Sequence, residues 1–384
     1  MSKQADSSGF KQGLLLSVFS LFLTLALVEL SLQVADSAGI APEFFGSLGQ
    51  ARPPIDRRDG AGMYYVHQYN AYSIKPGYTR GKKEKINSLG FRGDDIAADK
   101  PDDVYRIVAI GGSTTFAVYL PWDKSYPYYL QQDLRERFDT DKIEVINAGM
   151  TGSTTGESLS RMFHQILPLD PDMVIIYHGY NDLFPRVFND WSDDYYHFRK
   201  ASSYSPPGMT SFISWRLFLK VANPTAFNEN YNLTNIVWKI ENLPDSDTER
   251  LANFYSSDAS AFERNMEYMV DAIEAHGAQP VLATFGISPD IIHWNDYIPA
   301  FAWEEGIRQN NRAIIAVAER NNVPLVPFAE AVVDKPTINI WIKNAEQDTC
   351  CWNDSIHMTA SGNQLKAKIF ADTIEPLIAE KLGQ

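Results

Sequence analysis

The sequence predicts an α/β protein: a doubly wound parallel sheet of about five strands with helices on both faces. Three observations point there. Apolar runs of strand length alternate with segments of helical spacing. The runs are almost continuously apolar, as strands buried on both faces must be. Residues able to do chemistry fall where those runs end.

The elements follow in chain order. "YRIVAI" (105–110) is a buried strand, and "SYPYYLQQDLRERF" (125–138) has helical spacing at Tyr126, Tyr129, Leu130 and Leu134. "IEVINA" (143–148) is a second strand, followed by a helix in "ESLSRMFHQIL" (157–167). "DMVIIYHG" (172–179) is a third strand. After a long gap, Phe262, Met266, Met269, Val270 and Ile273 form one helical stripe, with a capping box expected at Ser260 and Glu263 and a helix end at Gly277. "PVLATF" (280–285) is a strand, 303–320 a helix, "VPLVPF" (323–328) a strand. A last helix carries Leu365, Ile369, Phe370, Ile374 and Leu377. The alternation is that of a flavodoxin-like sheet over residues 104–384.

Two stretches lie outside this pattern. Residues 39–103 form a polar lead-in with "NSLGFRGDD" (87–95) read as turns around Phe91. The gap at about 184–257 is rich in aromatics, among them Phe184, Phe188, Trp191, Tyr195, Tyr196, Trp215, Phe218, Tyr231 and Trp238. An insertion of that length at a strand's carboxyl end reads as a cap.

The N-terminus carries an address. "GLLLSVFSLFLTLALV" (13–28) follows Lys3 and Lys11, and the run continues to Val34 with only Glu29 interrupting it. Cations before an apolar run mark export with the lysines left inside. Read over 13–34 it spans a bilayer, within an anchor unit of 1–38; read to Val28 it is a signal peptide with Ala35-Asp36-Ser37 as the cleavage site. Both readings put the rest of the chain outside the cytoplasmic membrane. Within the chain, "FISWRLFLKV" (212–221) is read as packing of the cap, with a helix dipping into the membrane as the alternative.

Composition narrows the functions. The 384 residues are 45% hydrophobic and 21% charged, enough for a full core. A net charge of −14 argues against a nucleic-acid partner. Cys350 and Cys351 are adjacent, so they are read as two small half-buried apolar side chains rather than a bridge or zinc ligands. No cofactor motif and no metal-ligand spacing is present in the sequence. Asn232 and Thr234 form a glycosylation sequon by pattern only.

The strand ends converge on one chemistry. They deliver Gly111, Gly112 and Ser113; then Asn147, Ala148 and Gly149; then Gly179, Tyr180, Asn181 and Asp182. The segment before the last helix adds Asp354 and His357. A serine needs a base to become a nucleophile, and the base needs a carboxylate to fix its tautomer. The oxyanion needs preorganised donors, which the N–H groups of Ser113 and Gly149 and the Asn181 amide supply. His178 is read as structural, with substitution for His357 as the alternative; Asp182 is read as a brace for its loop.

The blocks "GGST" (111–114), "NAG" (147–149), "GYND" (179–182) and "DSIH" (354–357) resemble, in order, those of the SGNH hydrolases, also called GDSL esterases/lipases. The resemblance covers about 104–382 without the insertion. It implies Ser113 as nucleophile, His357 as base, Asp354 as its orienter, and Gly149 and Asn181 as oxyanion donors. The family's Gly-Asp-Ser is Gly-Gly-Ser here, with Gly112 for the aspartate. The apolar N-terminus and the "NSLGFRG" lead-in are similar to membrane-anchored bacterial members associated with surface carbohydrate.

The expected function is therefore an extracytoplasmic serine esterase whose partners are an ester, with an O-acyl group on carbohydrate as the narrower reading, and the membrane. An acyltransferase to a polysaccharide hydroxyl uses the same triad. A catalytically silent, tethered carbohydrate binder would use the aromatic insertion alone. Trp191, Tyr195 and Tyr196 are expected to line the substrate cleft, since they follow the Asn181 loop directly and combine flat faces with polar tips.

Overall fold

The structure, a computed structural model, describes residues 7–41, 44, 55–56, 62–81, 83–200, 212–224, 237–289, 297–335 and 350–382. Tyr231, Asn232, Thr234 and His293 lie outside the described residues.

A long helix, α1 (Ser7–Ser37), comes first, then the short strands β1 (Ile55–Asp56), β2 (Tyr64–His67), β3 (Ala71–Ile74), β4 (Thr79–Arg80) and β5 (Glu84–Lys85). The central sheet is built from β6 (Tyr105–Gly111), β7 (Ile143–Gly149), β8 (Met173–Tyr177), β9 (Gln279–Ala283) and β10 (Leu325–Val326). Its order is β10-β9-β8-β6-β7, and every pairing is parallel. The fold is the doubly wound one, with the direction of winding reversing at β6.

Period-two alternation sorts the strand residues between two cores. Ile107, Ala109, Met173, Ile175 and Val281 face one side, with Leu130 and Leu134 of the helix Tyr126–Arg137 and Phe370, Ile374 and Ile378 of the helix Ala360–Leu382. Val108, Ile110, Val174, Ile176 and Leu282 face the other, with the predicted stripe Phe262, Met266, Met269, Val270 and Ile273 and with Ile314 and Val317 of the helix Ala300–Asn321. The sheet is thus a fully buried middle layer.

Boundaries differ from expectation in two places. The expected capping box at Ser260 is absent: that helix runs Ser260–His276, its first N–H bonding Asp258 Oδ1 (2.9 Å). A box forms instead at Thr154 and Glu157, ahead of the helix Thr155–Arg161. There the loop from β7 must turn sharply back, so its N–H groups need side-chain acceptors. Gly277 ends its helix at φ +90° as expected.

The two cysteines are a second correction. Cys350 and Cys351 are joined to each other, the peptide between them cis and their Cα atoms 3.0 Å apart.

The lead-in does more than turn around Phe91. Asn87 Oδ1 accepts the N–H groups of Leu89 and Phe91, shaping a loop that thrusts Arg92 inward. The Arg92 guanidinium donates to the carbonyls of Phe116, Ala117 and Leu120, just past Ser113, and lies 4.2 Å from the Phe116 ring.

Candidate active site

Strand β6 ends at Gly111, and Ser113 opens a single helical turn, α2 (Ser113–Phe116). The turn is clamped from β7: Asn147 Nδ2 donates to Thr115 O at 3.0 Å. Gly112 leaves room beside it for the Asn181 amide. A side chain at Gly112 would place its Cβ 2.7 Å from Asn181 Nδ2. The Asn181 amide therefore stands where the family's more usual aspartate would begin.

Ser113, His357 and Asp354, separate in sequence, meet in one chain of hydrogen bonds. His357 Nε2 lies 2.9 Å from Ser113 Oγ, and His357 Nδ1 lies 2.8 Å from Asp354 Oδ2. Asp354 Oδ1 accepts the backbone N–H groups of Ile356 (2.9 Å) and His357 (2.7 Å), so the "DSIH" turn is locked on its own carboxylate. All three residues are buried. Burial alone would push the Asp354 carboxyl up; the facing imidazole and those N–H groups hold it below the usual carboxylate range. The turn is fixed from outside by Trp352 bridging to Met358 and by Thr359 N–H on Cys351 O (2.9 Å).

Asn181 opens a short helical turn after β8, and its Nδ2 donates to Ser153 O at 2.7 Å. The expected third donor needs correcting. The Gly149 N–H is already engaged by Asn147 Oδ1 at 3.0 Å, inside the clamp on α2. A donor spent inside the protein is not open to an oxyanion. The loop one turn on offers another. Residues 150–153 form a β-turn closed by Ser153 N–H on Met150 O (3.2 Å), with Gly152 at φ +75°, a position that favours glycine. No described group accepts the N–H of Ser113 or of Gly152. The turn is held by its carbonyls: Tyr72 Oη donates to Thr151 O (2.7 Å), Arg199 Nη2 to Gly152 O (2.9 Å) and Asn181 to Ser153 O. The sequence signal for Gly152 is the second glycine of "NAGMTG", which follows the start of a β-turn.

Asp182 braces its loop. Its carboxylate accepts the Thr155 N–H (3.0 Å), the Thr155 hydroxyl and the Tyr195 hydroxyl (3.1 Å). Burial pushes the Asp182 carboxyl up to about 7, against the pull of those donors. His178 is not part of the site: its Nε2 bonds Ser158 Oγ at 2.8 Å, and burial, with Arg161 nearby, pushes the ring down to about 3.

The aromatics expected in the cleft are elsewhere. Tyr195 is buried beneath the Asn181 loop on Asp182. Trp191 is half-buried, edge-on to His197 (5.4 Å) and tilted against Tyr195 (6.0 Å). Tyr196 is 74% exposed with Lys239 over its ring. The insertion's rings pack on one another, Phe184, Phe188, Phe198 and Trp238 among them, and extend the core on that face of the sheet.

Tyr119 stands edge-on to His357 at 4.9 Å. A dent of about 10 Å³, room for about one water, opens there, lined by Thr114, Val118, Tyr119, Leu120, His357 and Met358. A wider groove of about 630 Å³ lies on the insertion, lined by Asn189, Ile240, Pro244 and Asn253 and not by Ser113, Asp354 or His357.

Comparison with known proteins agrees with this arrangement of motifs. The model of the GDSL-like Lipase/Acylhydrolase family matches residues 109–365. An arylesterase of Vibrio mimicus is 32% identical over 77 residues, 20% of this chain; the match spans only 38% of that relative's length. An acetyl xylan esterase, AlAXEase, is 18% identical, with 70% of this chain and 99% of that one covered at a TM-score of 0.41. A lipase/acylhydrolase of Enterococcus faecalis is 15% identical, covering 71% and 96%, also at 0.41. By the match over two thirds of its length, with the four motif blocks in order, the chain belongs to the GDSL-like lipase/acylhydrolase family.

Proposed function

We propose that this protein is a membrane-anchored, extracytoplasmic serine esterase acting on carboxylic esters. The observation that carries it is the hydrogen-bonded chain Ser113 Oγ, His357 Nε2, His357 Nδ1, Asp354 Oδ2. His357 takes the Ser113 proton as Oγ attacks the ester carbonyl. The Asp354 carboxylate keeps the proton on Nδ1 and stabilises the imidazolium. The oxyanion is received by the N–H groups of Ser113 and Gly152 and by Asn181 Nδ2. The tetrahedral intermediate collapses, and His357 protonates the departing alcohol. Water, deprotonated by His357, then attacks the acyl-serine, and the acid leaves with Ser113 restored.

The anchor reading is supported at both ends. Helix α1 holds a stretch, Lys11–Ser37, long and apolar enough to cross a bilayer, and almost all of it is exposed. Near its far end Asp36 pairs with Arg80 of β4 (2.8 Å), a contact that cleavage would remove. Retention of the helix is thus favoured over its loss.

The test is acyl-enzyme trapping with p-nitrophenyl acetate. The wild type should release nitrophenol and carry an acetyl mass on Ser113; Ser113→Ala should lose about four orders of magnitude in kcat. Undiminished turnover by Ser113→Ala would remove the reading. Release of free acid in water alone marks a hydrolase; an acyl-serine discharged only after a sugar acceptor is added marks a transferase.

A further inference from the structure

Glu29 is the one charge inside the long apolar run of α1, and it does not face empty solvent. Its carboxylate caps a second helix, α3 (Ile213–Ala222), in the insertion. Glu29 Oε1 accepts the Ile213 N–H (2.9 Å), and Oε2 accepts the Ser214 N–H (2.9 Å) and hydroxyl (2.7 Å). Gln33 steadies the same carboxylate at 2.8 Å. The first N–H groups of a helix have no partner within it, and their dipole favours an anion. No side chain of its own caps α3, so α1 provides the cap. Ile213 is fully buried against Leu32 and Ala35.

The opposite face of α3 is apolar and, among the described residues, uncovered. Phe212, Phe218 and Val221 are 49%, 55% and 78% exposed, and the Trp215 ring lies 5.2 Å from that of Phe218. Large apolar side chains so clustered on a surface mark a contact with something apolar. The cluster continues the exposed apolar surface of α1 itself.

We infer that α3 is a second membrane contact: a helix lying in the outer boundary of the bilayer that α1 crosses, with Phe212, Trp215, Phe218 and Val221 among the lipid chains. Depth agrees. Glu29 is eighteen residues beyond Lys11, or about 27 Å along the helix axis. The hydrocarbon core is about 30 Å thick, so Glu29 comes level with its far edge. In-plane helices settle at that boundary, where a tryptophan is favoured. The Glu29 cap also answers how a carboxylate is tolerated there: its lone pairs are satisfied by the α3 terminus. The inference rests on the anchor reading of α1. It adds that the insertion, and with it the Asn181 side of the site, is held at the membrane surface.

The test uses the full chain in phosphatidylcholine vesicles. Flotation comes first; protein that does not float with vesicles overturns the anchor reading and this inference together. The emission of Trp215 is isolated as wild type minus Trp215→Phe, a change too conservative to disturb folding. In lipid brominated high on the acyl chains that difference should fall by about half, more than with bromine near the chain ends, since an in-plane helix lies shallow. It should resist aqueous acrylamide. Vesicle-bound protein whose Trp215 is quenched by acrylamide and untouched by brominated lipid overturns the inference alone. So does protection from both that appears only at high protein density, which would assign the face to a second copy.

Discussion

The rim of the sheet and the insertion that follows it are held together by opposite means. At the rim, directional hydrogen bonds fix individual atoms. Asn147 clamps Thr115 O, Arg92 reaches three carbonyls past Ser113, and Asp354 accepts two N–H groups of its own turn. In the insertion, ring faces do the holding, with Phe184 and Trp238 at 4.2 Å and Phe198 and Trp238 at 4.9 Å. Proton transfer needs donor and acceptor within hydrogen-bond reach, so a rim built of directional bonds suits chemistry. Packed aromatics fix a surface and a volume but leave single atoms less constrained. The same residue types therefore mean different things in the two regions: a polar group at the rim is placed, and an aromatic in the insertion is filling.

Three changes sharpen that contrast. The largest effect is expected at Asn181. Asn181→Ala removes the proposed oxyanion donor and the bond to Ser153 O, and should lower kcat by about 10²–10³ with a stability loss of about 1 kcal/mol. A loss below tenfold would place the oxyanion away from this loop. The middle effect belongs to the insertion. Trp191→Ala should cost about 2 kcal/mol of unfolding free energy, less than for a fully buried tryptophan, and lower kcat/KM equally for acetyl and bulky esters. A loss confined to the bulky ester, with unchanged stability, would return Trp191 to the substrate cleft and blur the contrast.

The smallest is a pH effect next to the rim. Burial, with Arg161 beside it, pushes His178 down to about 3, whereas an unfolded chain's imidazole titrates near 6.5. Unfolding therefore takes up a proton between those values, and stability falls as pH falls. From pH about 6.5 to about 5.5 the loss is about 1 kcal/mol. Denaturant titrations of wild type and His178→Gln should show this part of the slope only in the wild type. Equal slopes would mean that His178 is already charged in the folded state.

Much of the fold is legible because it depends on neighbours in sequence. The continuous apolar runs of "RIVAI" and "MVIIY" and the helical stripe of Phe262, Met266, Met269, Val270 and Ile273 are set by residues within a few positions of each other. Strand, helix and order follow, and so does the strand end where Ser113 must stand. The "DSIH" turn is equally local, since Asp354 bonds the N–H and the ring of a residue three positions on.

Other features depended on which N–H was already taken and which face was already covered. Gly149 and Gly152 look alike as glycines after a strand; only the Asn147 side chain, folded back on Gly149, separates them. Tyr195 and Tyr196 are adjacent, yet one is buried on Asp182 and the other is in solvent. Arg92 meets its carbonyls 24 and 25 residues away, and Glu29 its helix 184 residues away. Spacing along the chain sets period, cap and strand end, because those are short-range backbone matters. Donor occupancy, burial and a carboxylate shared between two distant helices belong to the tertiary structure, because a hydrogen bond or an apolar contact has no preference for how much chain lies between its partners.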